Sequence, residues 1–212
     1  MIFEYPEAGS TQEELKKLYK DGDAVFYDAV TAIAQTGGKG RVGKTFFSPA
    51  GGLYLSMLLP YEEAETMTRA AGACAVRAIR KITGKVLSIK PVNDLYLDGR
   101  KVCGILAEAV TDLDGKPEAV VLGIGVNLVV PEGGFPEDIA QRAGALYKSA
   151  GEIGWIGDPG HIPANDTLAD FLLAGLRSRL MFALTDEFRK LPDPKQSEVL
   201  LKEYEGSLIE IK

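Results

Sequence analysis

Little in this chain points to disulfide, metal or membrane chemistry. Of its 212 residues, two are cysteine (Cys74 and Cys103), one is histidine (His161) and one is tryptophan (Trp155). Two cysteines make no disulfide framework, and neither stands at a spacing, to the other or to His161, that would hold zinc. Both are expected to be reduced, buried apolar residues. His161, between a glycine and a proline, is expected in a loop, and Trp155 in packing. Long apolar runs are missing as well. The longest, AVVLGIGVNLVV at residues 119–130, falls well short of the ~20 residues that span a bilayer. The start, MIFEYPEAGS, has neither the basic nor the apolar stretch of an export signal. The expected place is therefore the cytoplasm, with no membrane partner, where the sequon Asn165-Asp166-Thr167 has no consequence. Positive charge is scarce too: 24 Lys and Arg against 30 Asp and Glu give a net charge of −6 and a pI near 5.0. That balance excludes a protein wrapped by nucleic acid. Any anion site has to be local.

The remaining composition, 46% hydrophobic and 25% charged with a mean hydropathy of +0.01, is that of a globular chain. A chain of this size buries roughly 71% of its unfolded surface. One domain over residues 1–190 is expected, followed by a short C-terminal remnant, 191–212, too small for a second core. Ser10-Thr11-Gln12-Glu13 has the S-x-x-E spacing of a capping box and predicts a helix over about residues 11–20, stopped by Gly22. Residues 24–34 are rich in β-branched and aromatic side chains and predict a strand running into a glycine-rich loop. LYLSMLL predicts another strand, and EEAETMTRAAGACAVRAIRKITG a long helix closed by Gly84. Asp98-Gly99 between apolar runs predicts a two-residue hairpin with 97 opposite 100, 96 opposite 101 and 94 opposite 103. That register places Asp94, Tyr96, Lys101 and Cys103 on one face. A second antiparallel return crosses residues 114–117. Helices are expected near 137–149 and 167–190 around a Gly/Pro-rich connection at 151–163, and the tail predicts a short helix and one strand. The order predicts an α+β domain on a mixed, mostly antiparallel sheet flanked by helices.

Residues 38–45, GKGRVGKT, satisfy the phosphate-loop pattern G-x-x-x-x-G-K-[ST]. That loop works by opening a helix whose N–H groups meet the phosphates. Here FFSPAGG follows, and Pro49 with two glycines forbids such a helix. What survives is a run holding Lys39, Arg41 and Lys44 without an acid, on glycines that expose backbone N–H groups. It reads either as a polyanion cradle or as a solvated basic turn.

Taken together, QTGGKGRVGKTFFSP, KPVNDLYLDGRKVCGILAE and VVLGIGVNL resemble, in order and spacing, the blocks of the biotin protein ligases, the biotin-[acetyl-CoA-carboxylase] ligases. The likeness is close over about residues 1–130 and looser to about 190. It implies a class II synthetase-like catalytic domain that uses biotin and ATP, with Mg²⁺ accompanying the phosphates and no protein metal site. The implied partner is the biotin carboxyl carrier domain of a biotin-dependent carboxylase or decarboxylase. It also implies roles by position. Ser10, Thr11, Gln12, Gln35, Gly38, Lys39, Gly40, Arg41, Lys101, Gly104 and Leu106 would bind biotin. Arg41, Lys44, Phe46, Lys90, Asn93, Asp94 and Asn127 would bind ATP. Lys101, Arg41 and Asp94 would be catalytic. Departures stand at Gln12 for the usual Asn, Lys39 for Arg, Phe46 for Trp, and Pro91-Val92 after Lys90. The length leaves no room for the helix-turn-helix some members carry in front, and only EYEGSLIEIK stands where others begin a small β-barrel.

Blander roles are open for each residue: Ser10 as a helix cap, Asn93-Asp94 as the start of the hairpin, Lys101 as an edge-strand solubiliser. Carboxylate activation needs no histidine base, because the attacking group is already ionised; it needs cations and N–H donors around a phosphate. A lipoate or octanoate ligase or transferase on the same scaffold, a non-catalytic biotin binder, and pairing of sheet edges into a homodimer are left open.

Overall fold

The computed structural model describes residues 1–154 and 167–209. In chain order the elements are β1 (Ile2–Ala8), α1 (Thr11–Asp21), β2 (Ala29–Gln35), β3 (Gly52–Pro60), α2 (Ala64–Thr83), β4 (Ser88–Lys90), β5 (Asp94–Leu97), β6 (Arg100–Thr111), β7 (Pro117–Asn127), α3 (Glu137–Ala140), α4 (Leu168–Phe188) and α5 (Pro194–Gly206). The strands form one sheet in the order β1-β2-β3-β7-β6-β5-β4. Only β1 and β2 pair in parallel, joined by α1; the other pairs are antiparallel. This is the expected α+β class. Among the described residues no helix is long and apolar enough to cross a membrane.

Alternation along the central strands decides where everything else goes. Leu53, Leu55, Met57 and Leu59 of β3 and Val120, Leu122, Ile124 and Val126 of β7 point to one face, where α2 and α4 cover them and α5 packs against α2. Helix α2 approaches closely because its buried side is largely Ala70, Ala71, Ala75 and Ala78. Helix α4 presents Leu172, Leu176, Leu180, Leu184 and Phe188, one turn apart. The opposite face is divided. At one end Leu58, Val121 and Val110 pack under Leu15 of α1. Towards the other end of the same strands the side chains are Tyr54 and Ser56 on β3, Gly123, Gly125 and Asn127 on β7, and Gly104 and Leu106 on β6. Helix α1 reaches that half with its first turn, Thr11 beside Ser56 and Gln12 beside Gly123, whereas Gly104 and Gly125 are met by Phe46.

The segment beyond residue 190 joins the main core: Leu200 and Tyr204 of α5 are buried against α2, and Leu208 pairs with Ile89 at the β4 edge. Trp155, His161, Asn165, Asp166 and most of the 151–163 connection lie outside the described residues.

Several expectations need correction. Strand β1 was not foreseen, because Glu4, Pro6 and Glu7 disguise it; a proline is tolerated on an edge strand. Strand β2 begins five residues later than predicted, since residues 24–28 form a turn in which Asp28 accepts from Val25 N at 3.0 Å and pairs with the Met1 amino group. The capping box at Ser10 does not form: its side chain caps nothing, and Glu13 is drawn to lysines instead. The helix predicted over 137–149 shrinks to α3. Beyond it, backbone groups bond the sheet edge, Lys101 N to Arg142 O at 2.8 Å and Tyr147 N to Leu128 O at 2.9 Å. The hairpin turn is as expected, with Asp98 and Gly99 at φ 51° and 76°. Its register holds next to the turn, Leu97 facing Arg100 and Tyr96 facing Lys101, and then slips by one: Leu95 faces Cys103 and Asp94 faces Gly104 in place of Cys103, with Val102 the extra residue of a bulge. The bulge turns Val102 and Cys103 together into the core, so Cys103 leaves the face it was expected to share with Lys101.

Candidate active site

Residues 37–45 fold into a flap over the half of the sheet that carries Gly104 and Gly125. Its arms are tied at Lys39 and Thr45, with Phe46 N to Gly38 O at 2.9 Å and Gly40 N to Lys44 O at 2.7 Å. The tip is tight: Val42 sits at φ 54° and Gly43 at φ 70°, a conformation that is costly for a β-branched residue. No phosphate-loop helix follows; the only helical turn is Arg41–Gly43. Between the flap, Leu106 and Glu108 lies an open cavity of about 590 Å³, within the range of small-molecule sites.

Glycine makes the floor. Phe46, at the root of the flap, lies on Gly104 and Gly125, where an added Cβ would come within 3.1 Å and 2.6 Å of the ring. Tyr54 meets Phe46 edge-on with centroids 6.4 Å apart, and its hydroxyl donates to Pro49 O at 2.7 Å. Burial pushes the Tyr54 phenol well above its usual range, against the opposing pull of the Arg177 charge. It is a fixed donor and not an acid. The Lys101 Nζ stands 5.7 Å from the Phe46 centroid and 2.6 Å from Asp94 Oδ1. Flap root and hairpin therefore meet on one face of the sheet.

The α1 end of the site is a polar cluster. Gln35 Oε1 accepts from Thr11 N at 2.8 Å and from Thr11 Oγ1 at 3.1 Å, while its Nε2 donates to Ser48 Oγ at 3.0 Å. Gln35 thus couples the start of α1 to the end of the flap. Gln12 Nε2 donates to Glu108 Oε2 at 3.0 Å and Val121 O at 3.2 Å, fitting beside Gly123, where a Cβ would strike its amide at 2.7 Å. Ser10 Oγ and Gln12 Oε1 are buried without a partner among the described residues. Orphaned buried polar atoms are costly and mark where a ligand would complete the bonding.

The structure thus gathers Gly38, Lys39, Gly40, Arg41, Lys44 and Leu106 around the cavity, brings Phe46, Gly104, Lys101 and Asp94 together at the flap root, and groups Ser10, Thr11, Gln12 and Gln35 at the start of α1. Lys90 lies in β4 opposite Asp94, its Nζ 5.7 Å from the Tyr96 ring. Two asparagines are committed to backbone: Asn93 Nδ2 donates to Ile105 O at 2.7 Å and Asn127 Nδ2 to Gly144 O at 2.8 Å. Sequence reasoning missed Glu13, Lys16, Tyr54, Ser56, Glu108, Gly123 and Gly125. The available signal was the alternation of glycine with Val, Ile and Leu in β7, which marks a face kept bare.

The family model described as "Biotin/lipoate A/B protein ligase family" matches residues 9–127. The bifunctional ligase/repressor BirA of Bacillus subtilis (strain 168) is 32% identical over 148 residues, 68% of this chain and 45% of that protein. The biotin-[acetyl-CoA-carboxylase] ligase of Paracoccus denitrificans is 33% identical over 138 residues, 61% of this chain and 55% of that protein. A structure of biotin protein ligase from Aquifex aeolicus in complex with biotin and ATP superposes with a TM-score of 0.72 at 25% identity, covering 98% of this chain and 78% of that one. The chain spans about half the length of the curated relatives it matches.

Proposed function

The chain belongs to the biotin/lipoate A/B protein ligase family, and from that premise we propose that it is a biotin protein ligase. In the first step a carboxylate oxygen of biotin attacks the α-phosphorus of ATP, the bond to the β-phosphate breaks, and biotinyl-5'-AMP and pyrophosphate result. In the second, the ε-amine of a lysine on a biotin carboxyl carrier domain attacks the acyl carbon, AMP leaves and the amine gives up a proton. The carrier belongs to a biotin-dependent carboxylase or decarboxylase. The observation that supports this reading most directly is the meeting of flap and hairpin over a floor of glycine, with Lys101 beside the Phe46 ring.

Each group has a physical part in the proposal. The unpartnered Ser10 Oγ and Gln12 Oε1, beside the Thr11–Gln35 pair, suit a ring that carries both N–H donors and a carbonyl acceptor. The glycine floor seats the Phe46 ring against the sheet, and an acyl chain would run beside that ring. Asp94 holds the Lys101 ammonium over that floor, ready to transfer to the oxygens of the acyl-phosphate junction. Arg41, free of any ion-pair partner among the described residues, would bring a bidentate fork to the phosphate, with Lys44 as a second charge. Phe46 offers a face to the adenine. Asn93, Asn127 and Lys90 would set the nucleotide-side backbone. Among the described residues no three His, Cys, Asp or Glu side chains converge. Mg²⁺ would be carried by the phosphate oxygens, where it would offset their charge.

Radiolabelled biotin, ATP and a carrier domain test the reading. Biotinyl-5'-AMP and labelled carrier are expected, with lipoate failing to compete. Neither product at saturating ATP, or labelling by lipoate in place of biotin, would overturn it.

A further inference from the structure

The three cations of the flap are not equivalent. Lys39 Nζ lies 2.7 Å from Glu13 Oε1, in the first turn of α1. The same oxygen accepts from Lys16 Nζ at 3.0 Å, and Lys16 also donates to Glu108 Oε2 at 3.0 Å. Glu108 Oε2 in turn accepts from Gln12 Nε2 at 3.0 Å. One chain of alternating charges therefore runs from the cavity wall through α1 to the flap. The helix N-terminus favours an anion at Glu13. Lys39 first, then Lys16, hold the Glu13 carboxyl below the usual carboxylate range. Burial alone would lower the pKa of Lys16, but its bonds to Glu13 and Glu108 leave it raised. Arg41 and Lys44 have no acidic partner among the described residues. Among the described residues the backbone bonds from flap to body lie at its hinges, Thr36 N to Ala8 O at 3.0 Å and Gly37 N to Gly9 O at 2.7 Å. Beyond the hinges, the ion pair from flap to body among the described residues is Lys39 with Glu13.

We propose that Glu13 is a positioning residue: through Lys39 it sets the resting pose of the flap over the cavity, so that Lys39 is a tether and the ligand-facing charge falls to Arg41 and Lys44. This assigns Lys39 a part different from the biotin contact that its position suggests. The ligase reading enters only in the identity of the ligand held beneath the flap. Both side chains are nearly half exposed, so the tether is weak and reversible, as a flap that must open requires.

Trypsin cleavage after Arg41 and Lys44, followed by mass spectrometry on ligand-free protein, reports how often the flap lifts. Glu13→Gln and Lys39→Gln should each speed cleavage about two- to fivefold, the range of a surface ion pair. The double variant should be no faster than either single one. Added salt should erase the differences. Glu14→Gln, in the same helical turn, should leave the rate unchanged, as should thermal melting in every variant. The charge swap Glu13→Lys/Lys39→Glu should restore protection and, with biotin and ATP bound, slow biotin dissociation again. Cleavage at the wild-type rate in Glu13→Gln would overturn the proposal. So would a swap that protects the flap yet still loses biotin quickly, which would make Lys39 a ligand contact. Protection that follows the expected pattern while no form retains biotin would uphold the tether and refute the ligase reading.

Discussion

Gly125 shows how strongly the site depends on what a residue leaves out. A Cβ there would come within 2.6 Å of the Phe46 ring, so Gly125→Ala is expected to lift Phe46 and the root of the flap. The cost of such overpacking, about 1–3 kcal/mol, should appear as roughly tenfold weaker biotin binding in calorimetry with little change in unfolding midpoint. The cysteines, by contrast, belong to the core. Burial pushes Cys74 from its ordinary value of 9.0 up to about 12, and drives Cys103 higher still. A thiol kept neutral by the fold but free to ionise once unfolded stabilises the native state fully below pH 9. That contribution is lost as pH rises from 9 towards 12. Urea midpoints should fall over that window, and a thiol reagent at pH 8 should leave both cysteines unmodified until denaturant is added. Equal midpoints at pH 8 and 10.5 would contradict the assignment.

The elements divide into those legible in the sequence and those that required the packed fold. Helices α1, α2 and α4, the Asp98-Gly99 turn and the β6–β7 return were legible because each carries its own local signal: Gly22 and Gly84 as stops, a two-residue turn, an unbroken apolar run. Strand β1 and the segment after α3 were not, since their conformations are set by partners distant in sequence, β2 for one and the backbone of Lys101, Leu128 and Asn127 for the other. The bulge at Val102 was likewise invisible to a hairpin register counted from the turn. In the site, glycines, lysines and the Asn-Asp pair could be placed by motif, whereas Glu13, Lys16 and Glu108 become partners of the flap only when α1 lies against the sheet. Helix α5 adds another such relation. Tyr204 Oη donates to Val92 O at 3.1 Å, beside Asn93 and Asp94. Tyr204→Phe should cost about 1 kcal/mol of stability and raise KM for ATP more than KM for biotin in initial-rate assays. An equal rise in both would place the contact outside nucleotide positioning.

Across the whole molecule the sheet separates stability from chemistry. One face is a continuous apolar core under three helices, fixing strands to which the other face adds glycine, polar side chains and a flap. An acidic chain can therefore hold an anion locally, because Lys39, Arg41 and Lys44 stand together in the flap, whose root at Phe46 meets the Lys101 ammonium of the hairpin. The most direct test of this account is biotin-dependent exchange of labelled pyrophosphate into ATP, measured on the wild-type chain and on Lys101→Ala with circular dichroism confirming the fold. The account predicts rapid exchange for the first and a loss of about a hundredfold or more for the second. Exchange at the wild-type rate without the Lys101 ammonium would contradict it.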